Sequence, residues 1–267
     1  MIQLLIVLES LLVSTGIYLY LHKKTRIRLI YLYIDNVAVI VLTSGLMIVL
    51  NRILGNQLVF VSFAVAPFLA LGVAFGFTMV RFWHTPRRKV KALENEIISP
   101  ADGNIIYIQE ISSGDIPVTV KKGLKASLTE LAGTSLLNQP SWLIGINMTP
   151  FDVHKNCAPV SGKIVLNKHI EGEFLSLKHP EALLRNERNT MVIATKENEY
   201  FGIVQTASKL VKRIDSYVKV DDTIEKGEWF GMIRFGSQVD IIIPKQYLPS
   251  VKLGQQVFAT TSIIAKK

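Results

Sequence analysis

Residues 58–80 read LVFVSFAVAPFLALGVAFGFTMV, an uncharged run that divides the chain into two halves of different character. As a helix it is long enough to cross about 30 Å of hydrocarbon, and Pro67 within it is a kink that neighbouring helices can accommodate. Toward the N-terminus, residues 2–21 form another apolar run, ending at the basic stretch His22-Lys-Lys-Thr-Arg-Ile-Arg28. A further run covers residues 37–50, with Asp35-Asn36 expected near headgroup level. A cleaved leader carries its basic stretch before the apolar core; here it follows, which favours a retained anchor. The loops 22–28 and 81–91 are basic, whereas 51–57 holds only Arg52. An excess of Lys and Arg marks the cytoplasmic side. Three spans thus predict an outside N-terminus and a cytoplasmic domain after Val80, at the cell (inner) membrane.

Composition supports this division. The 267 residues carry a formal net charge of +9 and a mean hydropathy of +0.32, high for a soluble globule. Through Ile98 there are ten Lys/Arg against four Asp/Glu, and beyond it twenty against seventeen. The excess therefore sits beside the apolar runs, where it suits anionic lipid and topology. The folded half shows no basic stripe with interleaved aromatics, so nucleic acid is not an expected partner. Cys157 is the only cysteine; it excludes an intramolecular disulfide and reads first as a small buried residue. The five histidines do not fall at zinc spacings, so no metal site is expected. Phosphate-binding glycine loops and a G-x-S-x-G turn are missing as well.

From Glu94 onward, short alternating runs are broken by Gly, Pro, Asn and Asp. Strands are expected at 104–108, 117–120, 142–148, 162–166, 191–195, 200–205, 216–220, 231–235, 239–243 and 256–260. One helix is expected over 124–137. The predicted fold class is N-terminal transmembrane helices, three in number, followed by a mainly β (α+β) sandwich or barrel-like domain. The predicted boundaries are an anchor over 1–81, a basic linker over 82–98 and a catalytic domain over 99–267. Residues 218–227 resemble the hairpin loop of lipoyl- and biotinyl-type folds.

Three islands place polar groups in apolar, strand-like context: Ser99-Pro-Ala-Asp102-Gly103, Phe151-Asp-Val-His154-Lys-Asn156 and Arg234-Phe-Gly236-Ser237-Gln-Val-Asp240. Each alone has a bland reading, since Asp-Gly makes turns, a lone histidine is usually structural and Gly-Ser is a common loop pair. Together, and in this order, they resemble the phosphatidylserine decarboxylase family in its compact form. Asn186-Glu-Arg-Asn189, Gly202-Ile-Val-Gln205, Lys212-Arg-Ile214 and the lead-in Phe82-Trp-His-Thr-Pro86-Arg87 add to the likeness.

The resemblance implies a self-cleaving proenzyme. The Ser237 hydroxyl attacks the Gly236 carbonyl, where glycine opens the backbone to approach, and the ester formed is lost by elimination. Ser237 becomes a covalent pyruvoyl cofactor, and a small chain, 237–267, stays with the large one as its partner. Phosphatidylserine in the membrane lipid would then form a Schiff base with the pyruvoyl group, lose CO2 and leave as phosphatidylethanolamine. His154 is the expected proton-transfer group, Asp102 the acid that orients a base or holds the cleavage loop, and Asp152 a turn cap or a further acid. Arg188 and Arg213 are expected phosphate contacts. Longer relatives carry a second histidine where Cys157 stands, which leaves the base for Ser237 open between His154 and a distant group such as His169. A pyruvoyl decarboxylase of another head group and a non-catalytic membrane-anchored β module are the competing readings; a homo-oligomer is left open.

Overall fold

The computed structural model describes residues 2–25, 29–54, 59–113, 118–121, 123–209, 213–234 and 237–267. Gly236 of the expected cleavage pair lies outside them, as do Phe235, Lys212 and Pro117; for Ser237 the backbone is described. The chain forms two compact units, Met1–His84 and Thr85–Lys267.

The first unit holds three helices, α1 (Ile2–Thr25), α2 (Leu29–Leu54) and α3 (Val59–Trp83). Two of them, over Gln3–Lys23 and Tyr33–Ile53, are long and apolar enough to cross a membrane, whereas the described apolar stretch of α3 is the shorter Ala64–Val80. Ile6, Met47 and Ala66 meet between the helices, while Leu12, Ile53 and Phe68 point outward. Hydrophobic contact alone gives helices no preference for each other over lipid, so polar pairs and close packing set the register. Here Ser14 Oγ donates to Asn36 Oδ1 at 2.5 Å, and Asn36 Nδ2 donates to Thr15 Oγ1 at 2.9 Å. Asn36, near the start of the apolar stretch of α2, thus meets the middle of α1.

The second unit is mainly β. An eight-stranded sheet contains β2 (Gly103–Ile111), β5 (Ser141–Met148), β7 (Gly162–Ile170), β8 (Arg188–Ala194), β9 (Tyr200–Ala207), β11 (Thr223–Ile224), β13 (Ser237–Pro244) and β15 (Gln256–Val257). Its order is β11-β7-β8-β9-β13-β5-β2-β15, with every neighbour antiparallel, and it curls into a half-barrel. A sheet of β6 (Lys155–Cys157), β10 (Ile214–Ser216) and β12 (Trp229–Ile233) packs within one core; β1 (Glu96–Ile98), β14 (Leu248–Pro249) and β16 (Ile263–Lys266) form another sheet. A hairpin of β3 (Val118–Lys121) and β4 (Leu124–Ala126) stands apart.

Alternation along β13 shows why the sheet has two buried faces. Val239, Ile241 and Ile243 enter one apolar cluster, and Ile242 enters the other. On that second side Gln238 Nε2 donates to Tyr107 Oη at 2.9 Å and to Asp240 Oδ1 at 2.8 Å, and Tyr107 donates to Asp240. The Tyr107 ring lies over Gly145, where a Cβ would sit 2.5 Å from it. The expected helix over 124–137 shrinks to α4 (Leu128–Ala132), because residues 124–126 pair with β3 instead. Ser127 and Glu130 close a capping box at its start, and Gly133, at φ 63°, ends it. A second short helix, α5 (Ala182–Arg185), precedes β8.

Candidate active site

The Ser99–Gly103 turn links β1 to β2. Ser99 Oγ donates to the Ala101 carbonyl at 2.7 Å, and Gly103 lies so close to β5 that a Cβ would meet the Asn147 carbonyl oxygen at 2.4 Å. This turn buries Asp102, whose carboxylate is met by Arg88. Nη2 of Arg88 donates to Oδ2 at 2.7 Å, Nη1 donates to Oδ1, and the Ala259 amide also donates to Oδ1 at 2.8 Å. Arg88 further donates to the Ala259 carbonyl at 3.1 Å and lies over the Phe258 ring. A buried carboxylate needs such compensation. Arg88 falls in the stretch read from the sequence as linker, and nothing in its local pattern announces its partner.

His154 sits in the turn between β5 and β6. Its Nδ1 and Nε2 lie 3.0 Å from the carbonyl oxygens of Ile233 and Thr149. Burial pushes the imidazole down to about 4, against the opposing pull of both carbonyls and of the nearby Asp102 charge. Asp152 shapes this turn, accepting from the Thr149 amide at 2.7 Å, so the capping reading of this residue suffices. Cys157 is wholly buried with Sγ 3.4 Å from the Ser99 carbonyl oxygen, and burial pushes its thiol up to about 12. It is the small buried residue that its solitude suggested.

The ladder brings these groups toward the start of β13. Ser237 pairs with Met148 on β5 and with Ala207 on β9. Met148 precedes Thr149, which holds His154; Ile233, the other His154 partner, lies four residues before Ser237. Asp102 and His154 interact through space, while the hydrogen bonds of Asp102 go to Arg88 and Ala259. A row of buried amides runs away from this point: Asn156 accepts from Gln205 at 2.8 Å, Gln205 from Asn189 at 3.3 Å, and Asn189 also donates to Asn167 at 3.0 Å.

The expected phosphate contacts diverge. Arg188 is buried, and donates to the Leu131, Leu184 and Glu130 carbonyls at 3.1, 2.5 and 3.4 Å, tying α4 and α5 to β8. Arg213 is exposed; its Nε donates to Asp215 at 3.0 Å, and Arg234 donates to the other oxygen of that carboxylate at 2.7 Å. His169 and Glu187 form a pair at 3.6 Å that the sequence did not announce. A cavity of about 390 Å³ lies elsewhere, bounded among others by Lys163, Lys226 and Tyr247. Among the described residues no group of His, Cys, Asp and Glu is placed to hold a metal.

The half-barrel thus buries an acid, Asp102, and an imidazole, His154, that interact with each other, and His154 is bonded to the residue next to the ladder partner of Ser237. The family model for phosphatidylserine decarboxylase matches residues 75–265, and the chain belongs to that family. A "Putative archaetidylserine decarboxylase proenzyme" of Methanocaldococcus jannaschii is 38% identical over 188 residues, covering 70% of this chain and 89% of the relative. The "Phosphatidylserine decarboxylase proenzyme" of Cytophaga hutchinsonii is 32% identical over 198 residues, with 74% and 81% covered. That of Zymomonas mobilis is 36% identical over 191 residues, with 71% and 72% covered.

Proposed function

We propose that the chain is a self-cleaving proenzyme that matures into a phosphatidylserine decarboxylase, releasing CO2 and phosphatidylethanolamine. The observation that carries this reading is the position of Ser237, first residue of β13, beside the His154 turn in a chain of this family. Cleavage between Gly236 and Ser237 would convert Ser237 into a pyruvoyl group. Its ladder partners Met148 and Ala207 are both buried, a setting suited to such a group. When formed, that group supplies an electron sink for the bond broken to CO2.

The residues of the chain then divide the remaining work. His154, held by Thr149 and Ile233, is suited to move a proton at the reacting carbon. Asp102, fixed by Arg88, supports the maturation site with a negative charge close to His154. To Arg213 and Arg234, which share one Asp215 carboxylate between them, we assign contact with the lipid phosphate. Arg188, ordered by three carbonyls, serves in our reading by holding β8 rather than by touching phosphate.

The organisation we propose is an anchor over 1–81, a basic linker over 82–98 and a decarboxylase domain over 99–267. The basic loops favour three spans with the catalytic domain at the cytoplasmic face of the cell membrane. The test is one gel with mass spectrometry on the purified chain. Mature protein should show a fragment over 237–267, blocked at its N-terminus and reactive with hydrazine, and should release CO2 from phosphatidylserine vesicles. An intact chain after long incubation, with an unmodified Ser237, would instead point to a non-catalytic module. The Methanocaldococcus relative, named for archaetidylserine, favours a second reading in which that lipid is the substrate; comparing phosphatidylserine with archaetidylserine as substrates separates the two.

A further inference from the structure

Strand positions line up across one end of the eight-stranded sheet. Ile170 on β7 pairs with Arg188 on β8, Arg188 with Thr206 on β9, Thr206 with Gln238 on β13, and Gln238 with Asn147 on β5. Two connections leave the sheet at this row. From β5 comes the turn in which Thr149 meets His154, and from β7 comes 171–187, the connection to β8. With neighbouring strands about 4.8 Å apart, the two are roughly 19 Å from each other along the sheet. That separation suits an extended surface rather than one small ligand.

The 171–187 connection carries Phe174, 48% exposed. One exposed apolar side chain is ordinary; the frame around this one is not. On one side the Glu173 amide donates to the Arg185 carbonyl at 2.7 Å, and Arg185 pairs with the Glu173 and Glu181 carboxylates at 2.6 and 2.9 Å. On the other, the buried Asn186 side chain takes both backbone groups of Leu175. Its Oδ1 accepts from the Leu175 amide and its Nδ2 donates to the Leu175 carbonyl, each at 2.8 Å. Nδ2 also donates at 2.9 Å to the carbonyl of Ala207, the residue after Thr206 in the row. Gly172 lies so close to this frame that a Cβ would come 2.3 Å from the Asn186 carbonyl carbon. Phe174 is therefore presented outward between two clamped neighbours, on a backbone that needs no further ordering to bind. Exposed Lys178 lies in the same connection, and exposed Lys209 follows the end of β9.

We propose that the 171–187 connection is the surface by which the catalytic unit rests on the lipid bilayer, with Phe174 entering the headgroup boundary. An aromatic ring held out beside lysines matches the chemistry of such a boundary, where apolar burial and attraction to anionic lipid act together. The His154 turn, leaving the same end of the sheet, then faces the layer that holds the substrate. The assignment rests on the lipid-substrate reading.

The test uses the full chain in vesicles of phosphatidylglycerol and phosphatidylcholine, which contain no substrate. Cys157 is wholly buried, so a polarity-sensitive dye goes to an added cysteine. Phe174→Cys takes the dye at the proposed contact. Leu248→Cys is the control, exposed and just after Tyr247, whose amide bonds Pro244 at the opposite end of β13. Dye at 174 should shift to the blue and be quenched by spin labels on the lipid chains, while dye at 248 stays in water. Dye at 174 as wet as at 248 overturns the proposal. So does protection that grows with protein-to-lipid ratio without quenching by the lipid labels, because a second copy then covers the ring. Lys178→Cys repeats the reading should the first variant not accumulate. In turnover, Phe174→Ser should lower the rate on phosphatidylserine vesicles by roughly tenfold, and much less on a short-chain phosphatidylserine dissolved in water. Equal losses on both sink the idea. The dye reports contact whether or not the chain cleaves, so a chain that meets lipid yet never matures refutes the proenzyme reading and leaves the docking surface standing.

Discussion

Arg88 and Asp102 meet across the boundary between the stretch read as linker and the catalytic fold. Removing one partner of a buried pair leaves the other charge uncompensated, typically at a cost of about 3–5 kcal/mol. Arg88→Met should therefore lower the melting temperature by several degrees and slow maturation, as read by calorimetry and by the fraction cleaved on a gel. Asp102→Asn should destabilise less, since an amide keeps one acceptor for the Ala259 amide. His154 gives a prediction in pH. Its imidazole is held down to about 4 in the fold, against an ordinary value of 6.5. Between these values the unfolded chain binds the extra proton, so stability is fully present above 6.5. It is lost as pH falls toward 4, by on the order of 3 kcal/mol. Denaturant titrations at pH 7 and pH 4.5 should show this loss, and His154→Gln should remove most of it. At this scale the motifs drew attention to Asp102 and His154, both of which the fold buries. It concealed Arg88 and Glu187, because a charge next to ordinary neighbours reveals its partner only after the chain has folded.

Strands were the most legible elements. The alternation of 142–148, 200–205 and 239–243 survives in β5, β9 and β13 because each lies central in the sheet, with side chains buried on both faces. Edge pieces such as β1, β11 and β14 were missed, since two or three residues carry no periodicity. The expected strand over 216–220 ends at Ser216, where the chain turns and Val218 gives its carbonyl to Asn167. Helix propensity misled over 124–137 because hairpin pairing with β3 outweighs a weak local preference. Close packing of elements yields two tests. Gly145→Ala would drive a Cβ into the Tyr107 ring, and such overpacking typically costs about 1–3 kcal/mol; the shift in urea midpoint measures it. Asn36→Val breaks the α1–α2 clamp and should weaken association of the two helices by about 1 kcal/mol, readable by unfolding in detergent.

For the whole molecule, the division at His84/Thr85 is a statement about where the catalytic unit can be cut. A chain over 85–267 retains Arg88 and β1 and should fold and mature by itself. A chain over 99–267 lacks Arg88 and β1, which the linker over 82–98 supplies, and should do neither. Side-by-side expression, with solubility and the cleaved fraction as readouts, checks this.

Cutting at residue 237 has a consequence of a different kind. The bond proposed for cleavage immediately precedes β13, the strand between β5 and β9, and residues 237–267 also contain β14, β15 and β16. Maturation would thus turn one polypeptide into a heterodimer whose smaller member is the spine of the larger one. Such a pair has no docking equilibrium separate from folding: to part the chains is to unfold them, and to refold is a bimolecular event. Its melting temperature should rise with protein concentration, whereas that of the uncleavable Ser237→Ala chain should stay fixed. Once heated and diluted, the mature enzyme would find its way back slowly, because the proenzyme's covalent link has been given up to make the reactive end.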